Sequence, residues 1–188
     1  MYSLLIDTHD TKVSFALYRQ NKVLSYKEFE SNMRHSEIAM PSLVELLNEF
    51  DLKPRDLDEI IVNVGPGSFT GVRIGVVIAK TMAYLLNIPI KVINSIEMVA
   101  FSQKEVKPGY YALREKNGYF VAELDNNNQL SDIIYYSDKE YEDKFKDVEV
   151  IMDTLLDYDN IYNYVSTKEA INPHLVNPLY VKKIEVLK

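Results

Sequence analysis

The residues best suited to chemistry lie in GPGSFTGVRIG, positions 65–75. This stretch joins a strand-like run, EIIVNV (59–64), to an amphipathic run, VRIGVVIAKTMAYLL (72–86). A glycine-rich junction at a helix N-terminus can aim backbone N–H groups at an anion. The spacing matches neither familiar phosphate signature. A Walker A loop is G-x-x-x-x-G-K-[ST], but Gly65 to Gly71 is one residue too long and Val72 replaces the lysine. A dinucleotide fingerprint is G-x-G-x-x-G. Gly65 and Gly67 supply its first two glycines, and Thr70 stands at the third. Two readings remain: an anion site, or a tight strand-to-helix turn capped by Ser68 or Thr70. Spacing alone favours the turn.

Other catalytic patterns are thin. The three histidines, His9, His35 and His174, have no paired ligand spacing and read as surface or cap residues. Cysteine is absent, which removes disulfides, thiolate metal sites and a Cys nucleophile. Ser68 in G-S-F-T-G does not make a G-x-S-x-G nucleophile elbow. Asp7 and Thr8 end a strand, where they can meet a nucleotide phosphate or simply turn the chain. Arg114 and Glu115 form a neighbouring pair of no specific spacing.

The helix after the loop says more. Gly71, Gly75, Ala79 and Ala83 recur every four residues and line one face. Two glycines early in a helix cost about 1 kcal/mol each relative to alanine. Close approach of another backbone offsets that cost, either the protein's own sheet or a helix of another chain. Val72, Val76, Ile78, Met82 and Leu85 spread apolar surface over the other faces, so contacts are expected on more than one side.

The elements around this helix read as βββαβαβα over residues 1–103. YSLLIDT (2–8), KVSFALYRQ (12–20) and KVLSYKEFE (22–30) form an antiparallel meander, turning at Gln20-Asn21. Ser36 is placed as the cap of a helix to Phe50 that starts or bends at Pro41. IPIKVIN (88–94) is a strand, and Ser95 caps a short helix over 95–103. A hairpin turns at Asn117-Gly118. The acidic, Tyr-rich 132–164 reads as short strands and loops. The expected organisation is an N-terminal lobe, 1–105, and a smaller C-terminal lobe and tail, 106–188.

A net charge of −7 with scattered basic residues excludes an autonomous nucleic-acid grip, which needs a basic face. No run of eighteen apolar residues and no basic leader is seen, so a cytoplasmic protein without a membrane span is expected.

IDT (6–8), KVSFALYRQNKVLS, RHSE (34–37), GPGSFTGVRIG followed by IAK, and the closing PLYVKK (178–183) together resemble the TsaB family, also called YeaZ. The resemblance is close over the first hundred residues and loose beyond. It implies an α/β actin-like ATPase fold (the class of sugar kinases and Hsp70) with a reduced second lobe. It implies a non-catalytic subunit in tRNA threonylcarbamoyladenosine biosynthesis. Such a subunit pairs with the catalytic paralogue TsaD and the ATPase TsaE, and meets tRNA only through the complex. The family's pairing surface implies helices matching 36–50 and 71–86. Gly71, Gly75 and Ala79 are then expected to give close approach. Ile74, Ile78, Met82, Ile38, Leu43 and Leu46 are expected as apolar contacts, and Arg73 as a rim contact. A homodimer through the same helices is the competing assembly.

The paralogue's metal-binding H-x-x-x-H places fall on Ser95 and Val99, so no metal is expected. No cofactor is expected either. Asp7, Thr8, Gly65 and Gly67 are vestigial nucleotide positions, with His9 and Asp10 where a glycine is usual. Leu113 stands where the family often has an Asp before its Arg, and the chain is shorter than many members. The rival reading is an autonomous actin-like ATPase or kinase using Asp7, Thr8 and the 65–71 loop. A metalloprotease lacks its paired histidines.

Overall fold

The computed structural model describes residues 1–31, 34–152 and 155–181. Of the closing PLYVKK segment, Lys182 and Lys183 lie outside the described residues. The first sheet is built from β1 (Tyr2–Asp7), β2 (Lys12–Arg19), β3 (Lys22–Glu30), β4 (Glu59–Asn63) and β5 (Ile90–Ile93), in the order β3-β2-β1-β4-β5. β1, β2 and β3 pair antiparallel, while β4 and β5 join parallel to β1. Gln20 and Asn21 both take positive φ, 50° and 68°, which suits the tight turn between β2 and β3.

Strand alternation puts Leu4, Ile6, Phe15, Leu17, Ile60 and Val62 on one face. α1 (His35–Asn48) and α2 (Phe69–Leu86) cover that face. The other face, carrying Leu5, Ala16, Tyr18, Ile61 and Ile93, is also buried. Its cover comes from Met98 of α3 (Ser95–Phe101) and from α5 (Tyr158–Ser166).

β6 (Gly109–Glu115), β7 (Gly118–Leu124), β8 (Ile134–Ser137) and β9 (Val150–Ile151) form the second sheet, ordered β8-β7-β6-β9. α3 packs one face of it, and α4 (Asp138–Phe145) supplies Tyr141 and Phe145 to the other. The 132–164 segment is therefore corrected from strands and loops to two strands and two helices. Ser137 and Asp157 cap those helices through their side chains.

Three other local expectations change. The cap of α1 is Arg34 without a side-chain bond, not Ser36, and the helix runs through Pro41. The cap of α3 is Asn94, whose Oδ1 accepts the Glu97 N–H while Glu97 accepts the Asn94 N–H. The hairpin turns at Lys116 and Asn117, and Gly118 opens β7 opposite Glu115. Gly118 is small because a Cβ there would overlap the Tyr136 carbonyl oxygen of β8.

α2 has 18 residues and a mean hydropathy of 1.4, long and apolar enough to cross a membrane by length and composition. It is the core helix of the first sheet, with Val72, Val76, Ala79 and Ala83 in the packed cluster and Arg73 exposed.

Candidate functional site

The glycine loop is closed onto the end of β1. Ser68 N–H donates to the His9 carbonyl at 2.6 Å, and a Cβ at Gly67 would overlap that same oxygen. Thr8 Oγ1 donates to the Gly71 carbonyl at 2.7 Å. Gly65 N–H donates to Asn63 Oδ1 at 2.9 Å. Ser68 caps α2 by accepting the Gly71 N–H at 3.2 Å, which resolves the choice between Ser68 and Thr70. The two loops thus bond to each other where a phosphate would need a gap, and the residues present do not fit one.

Asp7 is buried and accepts from His9 Nδ1 at 2.8 Å, His9 N–H at 3.1 Å and Asn63 Nδ2 at 3.0 Å. Burial pushes its carboxyl up, but the His9 charge and these bonds outweigh that and hold it below the usual carboxylate range. Burial pulls the His9 imidazole down, and the Asp7 carboxylate more than offsets this, so it stays above its ordinary value. His35 is also buried, with Nε2 2.8 Å from the Asp10 carbonyl and 3.3 Å from Ser31 Oγ. His35 is an interior group and His9 a largely buried one with 14% of its side chain exposed, which corrects the surface-or-cap reading. Asp10 turns back to accept the Lys12 N–H at 2.7 Å.

A cleft of about 630 Å³ opens beside the closed loops, lined among others by His9, Asp10, Glu30, His35, Arg114 and Lys116. Its walls carry both charge signs. Arg114 pairs with Asp138 of α4 rather than with Glu115. The two places expected to lack metal ligands are used by the fold. Ser95 Oγ donates to the Pro66 carbonyl at 2.7 Å and to Asn63 Oδ1 at 3.1 Å, and Val99 is buried between α3 and the second sheet. Neither can ligate a metal there, and no group of three His, Cys, Asp or Glu converges among the described residues.

The small-residue stripe of α2 faces inward. A Cβ at Gly71 would overlap the Thr8 carbonyl oxygen, and one at Gly75 would overlap Thr8 Oγ1. Ala79 is fully buried in the core cluster. The close approach that Gly71, Gly75 and Ala79 permit is therefore to this chain's own β1, not to another chain. Leu43 and Leu46 of α1 are core residues as well. Ile38, Ile74, Ile78 and Met82 are half-buried, and Arg73 is exposed.

The outward face of α2 includes Leu85, which the sequence reading counted as apolar surface, and Val77 and Tyr84, which it passed over. Val77 is 58% exposed, Tyr84 61% and Leu85 74%, with Met40 and Val44 of α1 also open. The spacing of Phe69, Arg73 and Val77, four residues apart, signalled one such face. The chain returns along this helix after α5. Val176 enters the core, Lys80 Nζ donates to the Val176 carbonyl at 2.9 Å, and Leu179 N–H donates to the Val64 carbonyl at 2.7 Å.

A family model of TsaD, described as tRNA N6-adenosine threonylcarbamoyltransferase, matches residues 25–114. TsaB of Bacillus subtilis is 45% identical over 100 residues, covering 53% of this chain and 44% of that protein. TsaB of Escherichia coli is 30% identical over 100 residues, covering 53% and 43%. The matched stretch thus spans less than half the length of these curated relatives. A solved YeaZ structure from Pseudomonas aeruginosa has a TM-score of 0.73 at 18% identity, covering 95% of this chain and 99% of that one. At that identity the likeness shows the fold alone, the α/β fold of YeaZ, here with a small second sheet. The resemblance to the TsaB (YeaZ) family holds: curated relatives named TsaB match about half of the chain, and the YeaZ fold spans nearly all of it.

Proposed function

We propose that this chain is a non-catalytic subunit in tRNA threonylcarbamoyladenosine biosynthesis. It pairs with TsaD, works with TsaE, and meets tRNA only through that complex. The observation that carries this reading is the contrast within one element: the glycine loop is bonded shut onto β1, while the helix it launches keeps Val77, Tyr84 and Leu85 exposed. Large apolar side chains gathered on one helix face mark an interaction surface. The contacts assigned to a partner are Arg73, Ile74, Val77 and Ile78 of α2 together with Met40 and Val44 of α1. Binding there holds the partner's lobes in an active arrangement by favouring one of its conformations.

The test is sedimentation of this chain with the TsaD protein of the same organism, comparing wild type with Val77→Asp. A carboxylate buried at the apolar contact loses its hydration, and one helical turn from Arg73 it also occupies that guanidinium, so it opposes binding strongly. Wild type is expected to form a one-to-one complex, and the variant, folded by circular dichroism, to stay apart. Equal binding by both proteins removes this face from the contact. The autonomous-ATPase reading makes the opposite forecast, a rise in melting temperature with Mg-ATP for the isolated chain. No such rise is expected, because the loop amides and the Thr8 hydroxyl bond within the chain.

A further inference from the structure

We propose that Arg73, stacked on the Phe69 ring and hydrogen-bonded to the Tyr180 hydroxyl, is a preorganised receptor for a carboxylate of the partner protein, and that the chain's returning C-terminal strap builds it. This rests on the subunit reading above and adds the partner's chemistry at its centre.

The geometry is specific. The guanidinium carbon of Arg73 lies 3.7 Å from the Phe69 ring centre and 5.4 Å from that of Tyr180. Arg73 Nε donates to Tyr180 Oη at 2.6 Å. The two rings also touch each other, with centres 5.3 Å apart and planes tilted by 39°. An arginine held this way has little side-chain freedom left to lose on binding. Its Nε is occupied, and among the described residues it has no carboxylate partner. The planar fork suits a carboxylate better than a lysine would.

The surroundings select the ligand's sign. Residues 69–86 hold Arg73 and Lys80 and no Asp or Glu. Residues 171–181 of the strap are likewise free of acids. In a chain of net charge −7, this face is apolar and cationic. The occupant that complements it is an apolar protein surface bearing an Asp or Glu opposite Arg73. A second copy docking the same face on itself brings arginine toward arginine with no acid from that face. Among the described residues, the exposed acids of the neighbouring α1 are Glu37 and Glu45.

The strap is the positioning element. Tyr180 reaches Arg73 because Val176 is sunk in the core, Lys80 holds the Val176 carbonyl, and Leu179 N–H is bonded to the end of β4.

The experiment measures the dissociation constant for TsaD of the same organism at low and high salt. It uses wild type, Arg73→Gln, Tyr180→Leu and Val77→Asp, each checked for folding. Arg73→Gln is expected to weaken binding about ten- to a hundredfold and to flatten the salt dependence. Tyr180→Leu is expected to weaken it about fivefold and keep the salt dependence, because the charge stays while its fixed geometry goes. If Val77→Asp abolishes binding but Arg73→Gln binds like wild type with the same salt dependence, the receptor is overturned and the subunit reading survives. If wild type binds no TsaD, the subunit reading itself falls and takes the receptor with it. If wild type self-associates and Arg73→Gln dissolves that dimer, the occupant is a second copy and the proposed partner chemistry is wrong.

Discussion

Asp7 and His9 form a carboxylate–imidazole pair 2.8 Å apart at the end of β1, with Asn63 as a third member. Their shifts give stability a dependence on pH at both ends. Asp7 is held below its unfolded value near 3.8, so its contribution is present above that pH and is lost as pH falls through the folded value. His9 is held above its unfolded value near 6.5, so its contribution is complete below that pH and is lost as pH rises through the folded value. Urea unfolding of wild type and His9→Asn therefore shows a gap of about 1–3 kcal/mol near pH 6 that narrows toward pH 9. A gap that stays level across this range contradicts the pairing. The resemblance grouped Asp7, Thr8, Gly65 and Gly67 as vestigial nucleotide positions, and in the fold Thr8 and His9 bond to the 65–71 loop. The sequence did not show that His9 would spend its carbonyl on Ser68, because a contact between positions 59 residues apart has no local signature, nor that its ring would turn back to Asp7 two residues before it.

At the scale of elements, the fit of α2 against β1 turns on Thr8. A Cβ on Gly75 meets Thr8 Oγ1, and the other Thr8 atoms stand back at 3.5 Å. Gly75→Ala gains about 1 kcal/mol of helix propensity but overpacks the contact, where strain of about 1–3 kcal/mol is typical. Net destabilisation is expected. In a Thr8→Ala background the obstructing oxygen is gone, and the same substitution becomes neutral or stabilising. Denaturant titrations of the four proteins close this cycle, and additive effects would contradict the contact. The four-residue period of Gly71, Gly75, Ala79 and Ala83 announced close approach, and that much was legible. Which backbone approaches was not, since the pattern is the same for a partner helix and for a strand of the same chain. Helices α4 and α5 were missed for a different reason. In α4 only Phe145 is buried, so little helical apolar period stands out, whereas α5 does repeat Tyr158, Ile161, Tyr162 and Val165 at helical spacing, a pattern masked by tyrosines that favour strands.

The whole molecule is tied together by a chain path that visits the first sheet twice. After β9 it comes back as α5, which places Tyr158, Ile161, Tyr162 and Val165 against Leu5, Ala16, Tyr18 and Ile61. Lys168 then bonds both carboxylate oxygens of Glu97 at 2.7 Å, and Tyr164 Oη donates to the same group at 2.7 Å, joining α5 to α3. We propose that the chain is organised as lobes 1–105 and 106–188, with α5 serving the first lobe from within the second. Removing α5 strips four buried side chains worth about 1.5–3 kcal/mol each from one sheet face. That loss, roughly 6 to 12 kcal/mol, equals the entire stability of an ordinary domain of about 5–15 kcal/mol. A protein ending at residue 105 is therefore expected to lack a cooperative thermal transition, although it keeps the glycine loop, α1 and α2. Adding a peptide of residues 155–181 in trans is expected to restore the transition in proportion to its concentration. If the 1–105 protein melts cooperatively alone, the sheet does not need its second cover. The partner face would then be a property of the first lobe by itself, with the strap and its clamp on Arg73 a later addition to a domain already stable.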